Sequence, residues 1–131
     1  MSAEKVIYYL MSSDTELLKK VPKTRIYPSL IPLGTTLPAI AYMLVSTVEQ
    51  TAIGLTTNRR RSRVQITVAA TSYPQVKQIM ALVEAACNHK QGTFNGVNTD
   101  SVILDSIGTD FRDDELGIHY STIDFRIAYG D

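Results

Sequence analysis

Side chains able to do chemistry are sparse and scattered in this sequence. Its two histidines, His89 and His119, sit in no motif. A nucleophile–base system or a metal site needs partners that no spacing here supplies. His89 falls in the last turn of a predicted helix, where a partly charged imidazole suits the helix dipole. His119 opens a predicted strand. Surface or packing roles fit both. The only cysteine, Cys87, lies on the apolar stripe of the same helix. With no basic neighbour or helix N-terminus to lower its pKa, it reads as a small buried hydrophobe and not as a catalytic thiol. A lone cysteine also excludes an internal disulfide and any multi-cysteine metal site. Asp110, Asp113, Asp114 and Glu115 offer oxygens to a hard cation, but Phe111 and Arg112 interrupt the alternation of a calcium loop. They read as a solvated hairpin loop. No glycine-rich phosphate loop, HExxH, CxxC or GxSxG occurs. Neither an enzyme nor a cofactor is expected.

The most specific polar feature is the basic run Arg59, Arg60, Arg61 and Arg63. Clustered arginines neutralise phosphates, pair acids across a subunit interface, or solubilise a loop tip. Thirteen basic and thirteen acidic residues cancel, and no aromatic residues interleave the run for base stacking. A protein interface is therefore the first reading. A small nucleic-acid-binding α+β module using residues 59–63 is the alternative.

The elements that position these residues follow from periodicity. A chain of 131 residues has room for one domain, 1–131, and buries roughly two-thirds of its unfolded surface. The apolar fraction of 44% argues against disorder. No apolar run approaches the ~20 residues of a membrane span, and MSAEKVIYYLMSSD does not read as a secretory signal. Synthesis and folding in a cytoplasm are the expectation.

Val6, Ile7, Leu10, Leu17, Leu18 and Val21 recur near the helical period over 3–21. Ser13 or Asp14 restarts the helix, as one bent helix or two short ones, and Pro22 ends it. Residues 23–38, KTRIYPSLIPLGTTLP, form no regular element but an extended connection whose Ile26, Tyr27, Leu30 and Ile31 pack down. Two strands follow. Residues 39–50 are apolar on both faces at their centre, as in a strand covered twice. Residues 62–71 alternate, with Val64, Ile66, Val68 and Ala70 against Arg63, Gln65 and Thr67. Their connection, 51–61, is too long for a tight hairpin and predicts a projecting tip, mobile in the free subunit and ordered on assembly.

A helix is predicted over 73–90, with Ser72 as N-cap, Gln75 in the capping box, and Gly92 as a stop. Its stripe is Val76, Ile79, Met80, Val83, Ala86 and Cys87. Strand 101–107, a turn-rich acidic stretch 108–117 and strand 118–129 complete the chain. In the last strand Ile123, Phe125, Ile127 and Tyr129 oppose Thr122, Asp124 and Arg126. The fold expected is α+β: a mainly antiparallel sheet of about four strands, two main helices on one face, and a long projecting hairpin loop. The second sheet face, with Arg63, Gln65, Thr67, Asp124 and Arg126, is poor as a ligand pocket and suits a wetted subunit surface or channel wall. Candidate interface residues are Arg59, Arg60, Arg61, Arg63, Asp124 and Arg126.

Two stretches carry a resemblance. Arg25-Ile26-Tyr27-Pro28 followed by Leu33-Gly34-Thr35-Thr36-Leu37-Pro38-Ala39-Ile40-Ala41-Tyr42 is similar to an "R-I-Y-P … G … P-x-I-x-Y" strand entry. Thr122-Ile123-Asp124-Phe125-Arg126-Ile127-Ala128-Tyr129 is similar to a closing "D-F-x-I-x-Y" strand. In this order they resemble the phage tail-completion (tail-terminator, head–tail joining) family. The resemblance implies a structural virion protein that caps the tail tube at the tail–head junction. The partners it implies are further copies in a homo-oligomeric ring, usually a hexamer, the tail-tube protein, and head connector or neck proteins. DNA would pass through the ring lumen without specific binding, and no membrane is involved.

Overall fold

The opening apolar period forms two helices, α1 (Ser2–Ser12) and α2 (Thr15–Lys20), in a computed structural model that describes residues 2–49 and 59–130. The break belongs to Asp14. Its backbone is extended, and its carboxylate accepts the Leu17 N–H at 2.9 Å, a cap worth about 1 kcal/mol. The Val21 amide closes the second helix on the Leu17 carbonyl, and Pro22 follows.

The sheet has seven strands where the periodicity predicts about four. They are β1 (Ile26–Pro28), β2 (Ala39–Glu49), β3 (Arg60–Ala70), β4 (Lys90–Phe94), β5 (Val97–Ile107), β6 (Phe111–Asp113) and β7 (Ile118–Gly130). Helix α3 (Tyr73–Cys87) lies between β3 and β4. The strand order is β1-β2-β3-β7-β5-β4, with β6 on β7. All pairings are antiparallel except β1 with β2. The three extra strands are short or lack alternation. β1 lies inside the proline-rich segment and β6 inside the acidic one, so both correct the expectation of irregular chain there.

The third extra strand, β4, takes the residues after an α3 that ends three residues early. Asn88 leaves the helical region, and its side-chain oxygen accepts the Leu104 amide at 2.8 Å and the His89 amide at 3.1 Å. His89 is therefore past the helix end, with φ +57°, and its amide also bonds to the Val102 carbonyl. Gly92 is a strand residue beside a register shift and not a helix stop. The β4–β5 turn is Asn95-Gly96, with φ +50° and +79°, the residue pair that type I′ hairpins favour.

Helices α1 and α3 both pack on the face carrying Val64, Ile66 and Val68. Alternation in β3 and β7 sends Val64, Ile66, Ile123, Phe125 and Ile127 inward, all fully buried. The predicted stripe of α3 is buried throughout, Cys87 included. At one end of this inner face a polar chain runs from Thr47 Oγ1 through Ser62 Oγ to the Tyr129 hydroxyl, at 2.8 and 2.9 Å.

Strand β2 differs from the doubly covered strand expected. Only Ala39, Ile40 and Ala41 are buried, and Met43, Val45 and Val48 are exposed. Its place in the sheet differs too: β1 pairs only with Ile40–Tyr42, so among the described residues the far half of β2 is an edge with β3 as its one strand neighbour. Of the projecting tip, residues 51–58 lie outside the described residues, whereas Arg60 and Arg61 belong to β3 and not to a loop.

Candidate interaction surface

The sheet face turned away from the helices carries most of the residues singled out above. Antiparallel register puts Gln65 opposite Asp124, and Arg63 opposite Arg126. Two guanidiniums side by side would repel. A bulge in β5 between Leu104 and Ser106 resolves this by delivering Asp105 to the same face. Arg63 Nε donates to Asp124 at 2.9 Å and also lies 3.3 Å from Asp105. Arg126 Nε reaches Asp105 at 2.9 Å. Two cations and two anions thus form a neutral lattice across β3, β7 and β5. Because the arginines are 43% and 60% exposed, each pair contributes at most about 1 kcal/mol. The lattice brings Arg63, Asp124 and Arg126 together, and Asp105 is the member sequence reading omitted.

Arg59, Arg60 and Arg61 sit apart, at the start of β3, where Arg60 and Arg61 pair with Glu49 and Val48 at the close of β2. Arg59 Nε donates to Asp100 at 3.0 Å, and Arg60 lies 3.7 Å from Glu49. Arg61 is exposed and, by strand alternation, shares the face of Arg63. Four of the five arginines at this end and centre are thus already engaged by carboxylates of the chain. That arrangement disfavours phosphate binding, since each contact would first have to break an ion pair.

The opposite end of the same face holds a groove. Arg25 Nη1 ties the proline segment back on itself by donating to the Thr36 and Pro38 carbonyls, both at 3.4 Å. Residues 29–37 form one wall, the β6–β7 hairpin the other, and Ala41, Thr67 and Ala69 the floor of a space of about 650 Å³. Leu30 does not pack down as expected. It is 76% exposed and Leu33 91%, facing Phe111 and Leu116 at 53% and 55%.

Acids edge the β6–β7 hairpin. Asp113 accepts the Glu115 and Leu116 amides at 3.0 and 3.1 Å, and Asp114 pairs with Arg112 at 2.7 Å. Asp110 sits between Lys77 at 2.7 Å and the Ser121 hydroxyl at 2.7 Å. The hydrogen bond from Lys77, then that from Ser121, holds the Asp110 carboxyl below its ordinary range. These acids staple the hairpin, which is a different use from metal binding. Leu30, Leu33, Phe111 and Leu116 went unread as a surface because loop apolar residues carry no period. For Leu30 and Leu33 the one signal is a large aliphatic side chain near a proline, and Phe111 and Leu116, set among acids, lack even that.

The two halves of the first resembling stretch prove to be strand partners. Ile26, Tyr27 and Pro28 of β1 pair in parallel with Ile40, Ala41 and Tyr42 of β2. The closing motif is the central stretch of β7, where Arg63 grips Asp124. The chain matches the family described as Tail completion protein gp17 over residues 5–130. It belongs to that family. Membership makes it a structural virion protein of the bacteriophage tail-completion class. A chain from the virion of a native gene transfer agent particle superposes with a TM-score of 0.71 at 15% identity, covering 96% of this chain and 92% of that one. A second solved chain superposes at 0.61 and 14% identity, with 100% and 97% covered. At such identities the likeness is one of fold. No curated protein matches the chain.

Proposed function

We propose that this tail completion protein caps the tail tube as a closed homo-oligomeric ring, six-membered as is usual in the family. On this reading it presents one ring face to the head connector at the head–tail junction. The carrying observation is family membership over residues 5–130. The outer sheet face adds physical support. Met43, Val48 and Ile103, cross-strand partners of Gln65, Arg61 and Arg126, are exposed beside the ionic lattice. A mixed apolar and charged face of this kind has the composition of a protein interface. The role is mechanical and non-enzymatic, with Arg59, Arg60, Arg61, Arg63, Asp124 and Arg126 on surfaces that meet other virion proteins. DNA passes through the lumen without specific contacts.

The test is light scattering and negative-stain imaging of the purified protein, with and without tail tubes. Closed rings that seat on tube ends are the expected result. A protein that stays monomeric and leaves tube ends bare would overturn the reading.

A further inference from the structure

The sheet has one long open edge. β1 pairs only with Ile40–Tyr42 and β2 runs on to Glu49, so among the described residues the backbone of 43–48 has β3 on one side alone. The other edges are short or broken. β1 and β6 have three residues each, and β4 carries a register shift and Gly92 at φ +138°. An open edge invites another strand, and proteins commonly blunt it with lysine, proline or an inward charge. Residues 43–48, Met-Leu-Val-Ser-Thr-Val, hold none of these and expose Met43, Val45 and Val48.

A bulge interrupts this edge and selects the strand that can pair with it. Tyr42 turns its carbonyl to the β1 side, where it accepts the Ser29 amide at 2.8 Å. Leu44, two residues on, turns its amide and carbonyl the same way. The extra residue at Val45 then shifts the alternation, so the next outward groups belong to Thr47, opposite Ser62. Two residues separate these outward groups where a regular strand has one. A regular strand falls out of register there, whereas a strand with the same insertion keeps it. A second β2, antiparallel about a two-fold axis between Val45 and Ser46, meets that requirement. Leu44 then faces Thr47 of the second copy, outward groups against outward groups, and Met43 faces Val48. The faces agree as well. Leu44 and Thr47 lie on the helix side, opposite Val64 and Ser62, and Met43 and Val48 on the outer side, opposite Gln65 and Arg61. Residues 43–48 carry no charge, so the two strands meet without like-charge repulsion.

We propose that the free protein forms a two-fold dimer in which residues 43–48 of two copies pair as antiparallel edge strands, joined by about four backbone hydrogen bonds. An isologous contact of this kind has no place inside a head-to-tail ring. It therefore goes beyond the ring reading and describes the protein off the tail, where it covers an edge that would otherwise recruit other strands.

Sedimentation velocity on the full chain over a concentration series should show a monomer–dimer equilibrium. Val45 stands at the axis and is 48% exposed, so a charge placed there spares the core. Val45→Lys should weaken the dimer by at least about tenfold, Val45→Glu likewise, and an equimolar mixture of the two should recover it. In a Cys87→Ser background, Val45→Cys should oxidise to a covalent dimer and no further. Should the charged variants fail to fold, the cysteine variant decides alone. A protein monomeric at every concentration, a dimer that Val45→Lys leaves unchanged, or a cysteine that does not cross-link overturns the edge pairing. Rings that form directly from monomers overturn it too and leave the ring reading standing. Dimers that respond as expected but never yield rings on tube ends uphold the pairing and sink the ring reading alone.

Discussion

At the residue scale, chemistry has been traded for packing and charge balance. Cys87 is fully buried, and burial pushes its thiol up to about 12. The native protein should therefore resist thiol reagents at pH 8 and react only when unfolded, as a timed reaction with and without denaturant would show. Cys87→Ser should keep the fold at a cost of about 1–3 kcal/mol, because it buries a hydroxyl among apolar neighbours. A phage whose tail completion gene carries this change should still plate. Loss of plating with normal folding would restore a role for the thiol. The ionic lattice makes a second residue-scale prediction. Asp105→Ala removes the acid that separates Arg63 from Arg126, and should lower stability by about 0.5–1 kcal/mol at low salt. Because the pairs are partly exposed, urea midpoints of variant and parent should converge at about 1 M salt, where the screening length shrinks to a few ångströms. An unchanged gap would mean that Asp105 acts through packing instead. Sequence reading found Arg63, Asp124 and Arg126 through strand alternation. It passed over Asp105 because a bulge carries that residue onto this face, and bulges leave no period.

At the element scale, long elements were legible and short ones were not. The α3 stripe and the alternation of β3 and β7 each repeat several times, so one face is marked redundantly. β1 and β6 have three residues each, too few to show a period, and take their conformation from a neighbouring strand. Of β4 only Lys90 falls inside the predicted helix, and the rest shows no alternation that marks a strand, although Asn95-Gly96 carries a hairpin signal. Gly96→Ala tests that turn. At φ +79° with open space around it, the cost is one of backbone alone, about 1 kcal/mol, and should appear as a lower midpoint with an unchanged denaturant slope. The α3–hairpin tether is testable by pH. The hydrogen bond to Asp110 is the main cause that raises Lys77 above its ordinary value, while Asp110 is held below its own. For Asp110 the contribution is present above the unfolded carboxylate value, near 4, and is lost as pH falls through the lower folded value. For Lys77 it is present below about 10.4 and lost as pH rises past the higher folded value. Lys77→Met should thus be destabilised relative to the parent between about pH 5 and 9, and the difference should close below pH 3. Parallel pH–stability curves across that range would show that the tether contributes nothing.

At the scale of the whole molecule, charge is what separates an assembly part from a nucleic-acid binder. Net charge is zero, so no long-range field concentrates DNA at the surface. Locally, Arg59, Arg60, Arg63 and Arg126 already face Asp100, Glu49, Asp124 and Asp105. A phosphate approaching any of them competes with a carboxylate held in place by the sheet, so few counterions are released. Duplex DNA binding measured by fluorescence anisotropy over a salt series should be weak, with a log–log slope no steeper than about −2, against roughly −0.9 per phosphate neutralised. Replacing Arg59, Arg60 and Arg61 by serine should change that slope little and cost no more than about 0.5 kcal/mol of folding stability per site. If the proposed assembly role holds, the same variant should fail to join tails to heads. A steep slope for the parent that the serine variant abolishes, together with normal tail joining by that variant, would reverse the assignment. The arginines would then leave their carboxylates for phosphates, and the basic end would face DNA in the lumen in place of a neighbouring subunit.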